Sequence, residues 1–410
     1  MPSNKLAPVI LRAPGIGGLN YEGEGLTADP SFAQVADNVV FDQAGRICSR
    51  KGFDPTTGGA NVLTGTPDME QLHMMDTSSG RKLITSATVS ATEKIYESVP
   101  SFDAFTDVTG ALTPAANNWQ FQNFNDQVVA AQTGETMIFK TYAGGSFAAI
   151  TAASGTVPDG NCVHSAFGRL WAQQGDGGGQ EKHTIAYCAL LDETHWSTGG
   201  GTINVLGNAG AVSKGYDELV AISSFDNFLV AFMRDSIVIY NNPDTPGSIG
   251  IQQIIQGIGC IARDSVQQTG DDIVWLSATG LRSLRHTVQS ENNLELGDLS
   301  AHVRGELIQK VSQVSSDVIR SAYYPEDALY LLKTGDVIWA MDLHDRSLTG
   351  QSPPRFTLFP NNDWTSLYYH EGSLYLGSAG QVGIYQNYQD DGESYNMVWQ
   401  TVWTDFGTSR

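Results

Sequence analysis

The residues of this chain with the means to do chemistry are spaced so that they do not reach one another along the sequence. Its eight histidines (His73, His164, His183, His195, His286, His302, His344 and His370) form no H-x-x-x-H, H-x-H or H-E-x-x-H pair, the spacings that bring two imidazoles onto one metal ion. Gly15-Ile16-Gly17-Gly18-Leu19-Asn20 lacks the last glycine of a dinucleotide-binding turn, and no Walker lysine follows this run or the later glycine-rich ones. There is no G-x-S-x-G elbow to expose a nucleophilic serine. Asp271-Asp272 and Asp390-Asp391 fall where turns are expected, so they read as solvated carboxylates rather than as a glycosidase pair. Asp390-Asp391-Gly392-Glu393 shares its composition with a calcium loop but lacks the spaced acids upstream. Cys48, Cys162, Cys188 and Cys260 are scattered, with no C-x-x-C, and are expected as buried free thiols. No catalytic, cofactor-binding or metal-ligating residue is therefore expected, and the chain is not expected to be an enzyme.

The elements that would have to position such groups are more legible. Seven times a hydrophobic strand, a tight polar turn and a second strand opening on paired apolar residues follow one another. The second strands begin at Leu83-Ile84, Val128-Val129, Leu170-Trp171, Leu229-Val230, Val274-Trp275, Leu329-Tyr330 and Leu374-Tyr375, with separations of 45, 42, 59, 45, 55 and 45 residues. A strand-rich period in this range marks a β-propeller, one small sheet per repeat. Phe225-Asp226-Asn227, Gly270-Asp271-Asp272, Pro325-Glu326-Asp327 and His370-Glu371-Gly372 supply equivalent turns. Third strands follow, rich in β-branched and aromatic residues; a fourth is clearest at Arg355-Phe356-Thr357-Leu358-Phe359.

The expected fold is thus all-β: a propeller of six or seven blades over residues 61–390, with one inserted helix and an N-terminal arm. The helix is expected at about 298–316, where Leu299, Val303, Leu307, Val311 and Val314 recur at helical spacing behind Asp298 or Ser300 as cap. Its stripe is expected to pack on the propeller's own side or rim, with a subunit contact as the alternative. Residues 1–60 form the arm, with a hairpin of Asn38–Phe41 and Arg46–Arg50 around Gly45; it either adds the strand that closes the ring or reaches a neighbour. Residues 391–410 form a C-terminal hairpin or tail.

Apolar residues at 41% give ample material for a core, and 44 glycines suit many tight turns. Lys plus Arg number 23 against 44 Asp plus Glu, a formal charge of −21. Such a surface repels nucleic acid and anionic lipid on average. It excludes a conventional DNA-binding protein, though not a conduit in which DNA slides without adhering. The opening residues lack a signal-peptide core and no apolar run is long enough to span a membrane, so folding in a cytosol is expected. Arg46, Arg50 and Lys51 are the one basic cluster and are candidate contacts to an acidic neighbouring subunit. Gly175, Asp176, Gly177, Gly178 and Gly179 are a candidate flexible rim or gate loop.

Four stretches resemble the tail nozzle and packaged-DNA stabilisation proteins of tailed, podovirus-type bacteriophages. They are Gly17-Gly18-Leu19-Asn20 with Asn38, Gly45-Arg46 and Arg50-Lys51-Gly52-Phe53; Arg169-Leu170-Trp171 with Asp192 to Trp196; the central run from Leu229 to Leu284; and Asp390-Asp391-Gly392 with Trp399-Gln400-Thr401-Val402-Trp403. The likeness spans most of the chain through short, fold-determining motifs. Larger relatives continue past the last of them, whereas this sequence ends at Arg410.

The resemblance implies a structural, non-enzymatic virion protein assembled in the host cytoplasm. A homo-oligomeric ring of about six copies would retain the packaged genome and conduct it during ejection. Its partners would be tail adaptor or portal-connector proteins, tail fibre or spike proteins, and double-stranded DNA passing through the lumen without sequence recognition. A glycan- or receptor-binding propeller on the virion surface is the alternative, with Trp196, Trp364 and Trp399 as stacking platforms. A propeller glycoside hydrolase is the third reading. The repeated acid box of sialidase-like propellers, which would favour it, is missing.

Overall fold

A computed structural model describes residues 15–23, 29–56, 63–175, 181–206, 216–285, 298–344 and 354–402. Seven small sheets, each built on an antiparallel run of consecutive strands, stand round a common axis. Blade 1 has strands Met69–Thr77, Gly80–Val89, Thr92–Ser98 and Phe105–Asp107. Blade 2 has Gln120–Phe124, Gln127–Gln132, Glu135–Thr141 and Ala148–Ala149; blade 3 has Val163–Ala166, Arg169–Gly175, Glu181–Tyr187 and Gly201–Asn204. Blade 4 comprises Leu219–Phe225, Phe228–Met233, Ser236–Asn241 and Gly250–Gln256, and blade 5, among the described residues, Gln267–Gln268, Ile273–Ser277 and Gly280–Ser283. Blade 6 begins with Arg320–Tyr324, Leu329–Thr334, Val337–Asp342 and Arg355–Phe359, and blade 7 with Ser366–His370, Ser373–Ser378 and Gln381–Gln386. The choice between six and seven blades is settled at seven.

The paired apolar residues that announce each repeat have a physical cause. A second strand has a blade on either side, so both of its faces are buried and it reads as an unbroken apolar run. In blade 4, Leu229 and Ala231 pack towards blade 3 beside Trp171 and Ile185, while Val230 and Phe232 pack towards blade 5 beside Ile273 and Trp275. In blade 6, Leu329 and Leu331 face blade 7, and Tyr330 and Leu332 face blade 5. The core is therefore a ring of seams between neighbouring blades, and each blade contacts two others.

The ring closes through the segment expected as an arm. Gly52–Pro55 pairs antiparallel with Gln381–Gln386 and supplies the fourth strand of blade 7. Gly52 is required there: a Cβ would lie 1.9 Å from the carbonyl oxygen of Gln389. Ala33–Asp37 adds parallel to Arg355–Phe359, and Val398–Thr401 adds antiparallel outside it, extending blade 6 to six strands. The expected hairpin forms from Val39–Phe41 and Ile47–Ser49, with Gly45 at a φ of 74°. Both ends of the described chain thus fold onto blades 6 and 7.

The helix runs from Arg304 to Ser312, shorter than the expected 298–316, because the Asp298 carboxylate accepts from the Ser300 amide and hydroxyl and holds a turn ahead of it. Its cap is Val303, with no side-chain hydrogen bond; the Gly305 amide instead donates to Glu22 at 2.6 Å. Leu299, Val303 and Leu307 pack on the seam between blades 5 and 6, as the stripe required.

Several hairpins use two left-handed residues, the turn whose twist matches that of the strands. Ser90 and Ala91 (φ 50° and 59°) join the second and third strands of blade 1, without a glycine at either position. A left-handed residue with a Cβ costs roughly 1–2 kcal/mol. Ala91→Gly is expected to stabilise the protein by about 1 kcal/mol, read as a raised urea midpoint with an unchanged slope.

Candidate functional site: the propeller axis

The first strand of each blade lies innermost, and together these strands line the axis. At the end where the strands begin, the axis is filled by charge. Asp264, in the turn Arg263–Ser265 that precedes blade 5, accepts from Arg263 Nε at 2.8 Å and Nη2 at 2.9 Å, from Arg320 Nη1 at 3.2 Å and from Gln71 Nε2 at 3.0 Å. Arg263 also donates to the carbonyls of Asn118 and Asn161 and to Asn118 Oδ1. Arg320 also donates to the carbonyls of Glu70, Ile319 and Asp317. The side chains come from blades 1, 5 and 6, and the acceptors include the approaches to blades 2 and 3.

Burial opposes the Asp264 charge, but the Arg263 guanidinium, helped by Arg320 and Gln71, outweighs it and holds the carboxyl below its ordinary value. Arg263 is 8% exposed and Arg320 3%. A guanidinium has five N–H donors, and those of Arg263 are all engaged within the hub. The hub is a brace whose hydrogen-bonding capacity is spent on the ring itself.

Beyond it the axis opens into a cavity of about 480 Å³, walled by the middles and far ends of the first strands. Gln71, His73, Gln122, His164, Ser223, Gln268, Tyr323 and Tyr368 are among its lining residues, with Arg263, Asp264 and Arg320 at its floor. His73 stands between the rings of Phe121 and Tyr368, at centroid distances of 6.2 and 5.2 Å. Burial lowers the pKa of His73 to about 4, against a partial opposing contribution from its hydrogen bond with Asn123. His164 Nε2 lies 3.0 Å from Ser224 Oγ, and burial lowers its pKa to about 4 too. The two imidazoles are neutral near pH 7. No signal of spacing joins them, since they come from blades 1 and 3; only the ring brings them to one space.

A second cluster lies at the surface between blades 1 and 7, where Asp76, His370 and Glu371 offer ligand atoms within 4.8 Å of one another. Arg81 donates to Asp76 at 3.1 Å and to both oxygens of Glu371 at 2.5 and 2.8 Å. The guanidinium thus already supplies a positive charge to both carboxylates.

The basic cluster read as a subunit contact is largely turned inward. Arg50 is 3% exposed, pairs with Asp390 at 2.5 Å and donates to Asn38 at 2.8 Å. Its guanidinium lies 4.0 Å from the ring centroid of Tyr395 and 4.9 Å from that of Trp364. Lys51 reaches Asp327 at 2.7 Å and Tyr324 at 3.0 Å. Only Arg46 remains open, at 79% side-chain exposure, and it pairs with Asp42. Arg50 is therefore corrected from a contact between subunits to a latch holding the two ends of the chain together. Arg50→Ala removes the buried pair and the contacts with the rings of Tyr395, Trp364 and Phe359. It is expected to cost about 2–3 kcal/mol, with amide exchange rising first in Gly52–Pro55 and Val398–Thr401.

Of the candidate gate loop, Gly175 ends the second strand of blade 3, with φ 99° and its Cβ position 1.8 Å from Asp159 Oδ1. Asp176, Gly177, Gly178 and Gly179 lie outside the described residues. Trp196 and Trp364 are core residues at 4% and 3% exposure, and Trp399 packs partly buried against the seam of blades 5 and 6. That placement removes Trp196 and Trp364 as stacking platforms. The four cysteines are free; Cys162, Cys188 and Cys260 are buried, which pushes their thiol pKa values up to about 12, 11 and 12. No helix among the described residues is long and apolar enough to cross a membrane.

The strand pairings define the chain as a seven-bladed β-propeller. No protein-family model and no curated protein sequence matches it. Several solved structures resemble it in part. The WD40 β-propeller domain of Doa1 is 12% identical, with a TM-score of 0.45, over 82% of this chain and 96% of that one. The computationally designed Ika8 protein is also 12% identical, with a TM-score of 0.46, over 82% and 100%. The extracellular domain of the putative one-component system BT4673 from B. thetaiotaomicron is 13% identical, with a TM-score of 0.48, over 86% of this chain and 43% of that one. At such identities the likeness concerns fold alone.

Proposed function

We propose that this propeller is a structural subunit of a phage tail, a nozzle or head-completion protein without catalytic function. Several copies would form a ring that retains the packaged genome and conducts it during ejection. The observation that carries this reading is the ionic hub. It braces the disc from five blades and blocks its axis, so the subunit is a stiff plate and any conduit for DNA lies between copies. The resemblance of the N-terminal, central and C-terminal motifs to tail nozzle proteins supports the same reading. So does the charge of −21: a wall with few cations gains little from counterion release and lets a duplex slide. In such a ring Arg46, the exposed member of the basic cluster, is the residue placed to meet an acidic neighbour. Native mass spectrometry of the purified chain, with negative-stain images of the particle, tests the proposal. A closed ring with an axial bore is the expected result; a monomer at every concentration, alone and with connector proteins, overturns it.

A further inference from the structure

We propose that the axial cavity binds a neutral, hydroxyl-rich ligand of the size of one or two sugar units. Its volume of about 480 Å³ falls within the range of small-molecule sites, about 300–1,000 Å³. By the same measure it is many times the ~10–15 Å³ that one bridging water needs.

The walls carry the polar groups such a ligand requires, and they are held in place. His73 is 8% exposed, and its Nε2 is left without a hydrogen-bond partner among the described residues. The rings of Phe121 and Tyr368 on either side fix the imidazole. A buried polar atom without a partner costs free energy, and a ligand hydroxyl reaching this nitrogen through a small shift of the imidazole would remove that cost. Across the axis, Gln267 donates to the Ser321 carbonyl at 3.1 Å and Gln268 to that of Ser224, so both amides present their oxygens in fixed orientations. Gln122 adds an amide on the wall of blade 2.

Charge decides against an anion. The two arginines at the floor would attract a carboxylate or phosphate if they were free. Asp264, Asn118 and the backbone carbonyls of the hub engage Arg263 fully, and Arg320, also tied to Asp264, is only 3% exposed, so an anion would find no exposed guanidinium fork. The wall histidines are neutral as well, and an anion would pay desolvation without a partner. A neutral polyol exchanges water hydrogen bonds for equivalent ones to histidine and amide groups.

The test is saturation-transfer NMR and calorimetry on the full chain. The probes are neutral hexoses, N-acetylhexosamines and their disaccharides, with glucuronate and inorganic phosphate as anionic controls. Binding of at least one neutral sugar at one site per chain is expected, at millimolar concentration or below. Affinity should fall about tenfold or more in His73→Leu, while the melting temperature holds or rises because an unpartnered buried nitrogen is gone. Gln122→Leu, on another blade, should weaken binding by a similar factor and serves if His73→Leu does not fold. Three results overturn the proposal: no neutral sugar binds, only the anions bind, or binding survives both substitutions unchanged. The ring assembly proposed above is a separate matter, and neither outcome bears on it.

Discussion

Asp264→Ala is expected to cost the protein about 3–5 kcal/mol, more than any other single change considered. The substitution removes the one carboxylate that both guanidiniums, Arg263 and Arg320, contact directly, and leaves them buried with only the more distant charges of Glu70 and Asp317. Their attraction to Asp264 is what offsets the desolvation of all three groups; without it the penalty stands largely uncompensated. Guanidinium-chloride unfolding measures the loss, and hydrogen exchange should report where it falls, at the starts of the first strands of blades 1, 5 and 6. A loss below about 1 kcal/mol would show that the hub behaves like a solvated surface pair.

The hub also differs from an isolated buried pair. In a simple pair, apolar residues of similar volume can replace both partners at little cost. Here Arg263 and Arg320 also satisfy the carbonyls of Asn118, Asn161, Glu70 and Ile319. An apolar triple replacement of Arg263, Asp264 and Arg320 would strand those oxygens at about 1–3 kcal/mol for each one left unpaired. It is therefore expected to remain destabilised. The brace is specified by its backbone acceptors as much as by its charges.

Acidification is the second large effect. His73 and His164 have an ordinary pKa of 6.5, lowered by burial to about 4 in the fold. Between those values the unfolded chain binds protons that the folded chain refuses, so stability rises with pH and is lost as pH falls through this window. A shift from 6.5 to about 4 corresponds to roughly 3 kcal/mol for each histidine. Carboxyls raised by burial, Glu70 and Asp217 among them, act in the opposite sense. The informative quantity is therefore the difference between variants. Wild type is expected to lose more stability between pH 6.5 and about 4 than His73→Leu, and the double variant with His164→Leu should lose least. Equal pH slopes in all three proteins would show that these imidazoles already titrate freely in the folded state.

What the amino-acid order settled by itself is the ring and its blade-forming strands. Leu229-Val230-Ala231-Phe232 and its counterparts are apolar throughout because a neighbouring sheet covers each face, and that pattern survives in one dimension. The turn residues are local too: Gly45, Asp226 and Gly372 adopt positive φ where the sequence places a reversal. Read as a propeller, the chain showed its blades from these signals alone.

The axis and the latch were decided only in three dimensions. Arg320 meets the Glu70 carbonyl across 250 positions, and Arg50 meets Asp390 across 340. In sequence, Asn118, Asn161 and Asp264 resemble any polar residues ahead of a strand, and Arg50 resembles any member of a basic surface cluster. Curvature changes their meaning. Closing seven blades into a ring gathers the starts of the first strands into one small volume where water is excluded, and there each polar group must find a partner from another blade. A cation in a basic run likewise becomes an interior group once Tyr395, Trp364 and Asp390 fold over it. Periodicity reports which faces are covered, because burial acts residue by residue. Pairing between charges reports the path of the whole chain, and no local pattern encodes it.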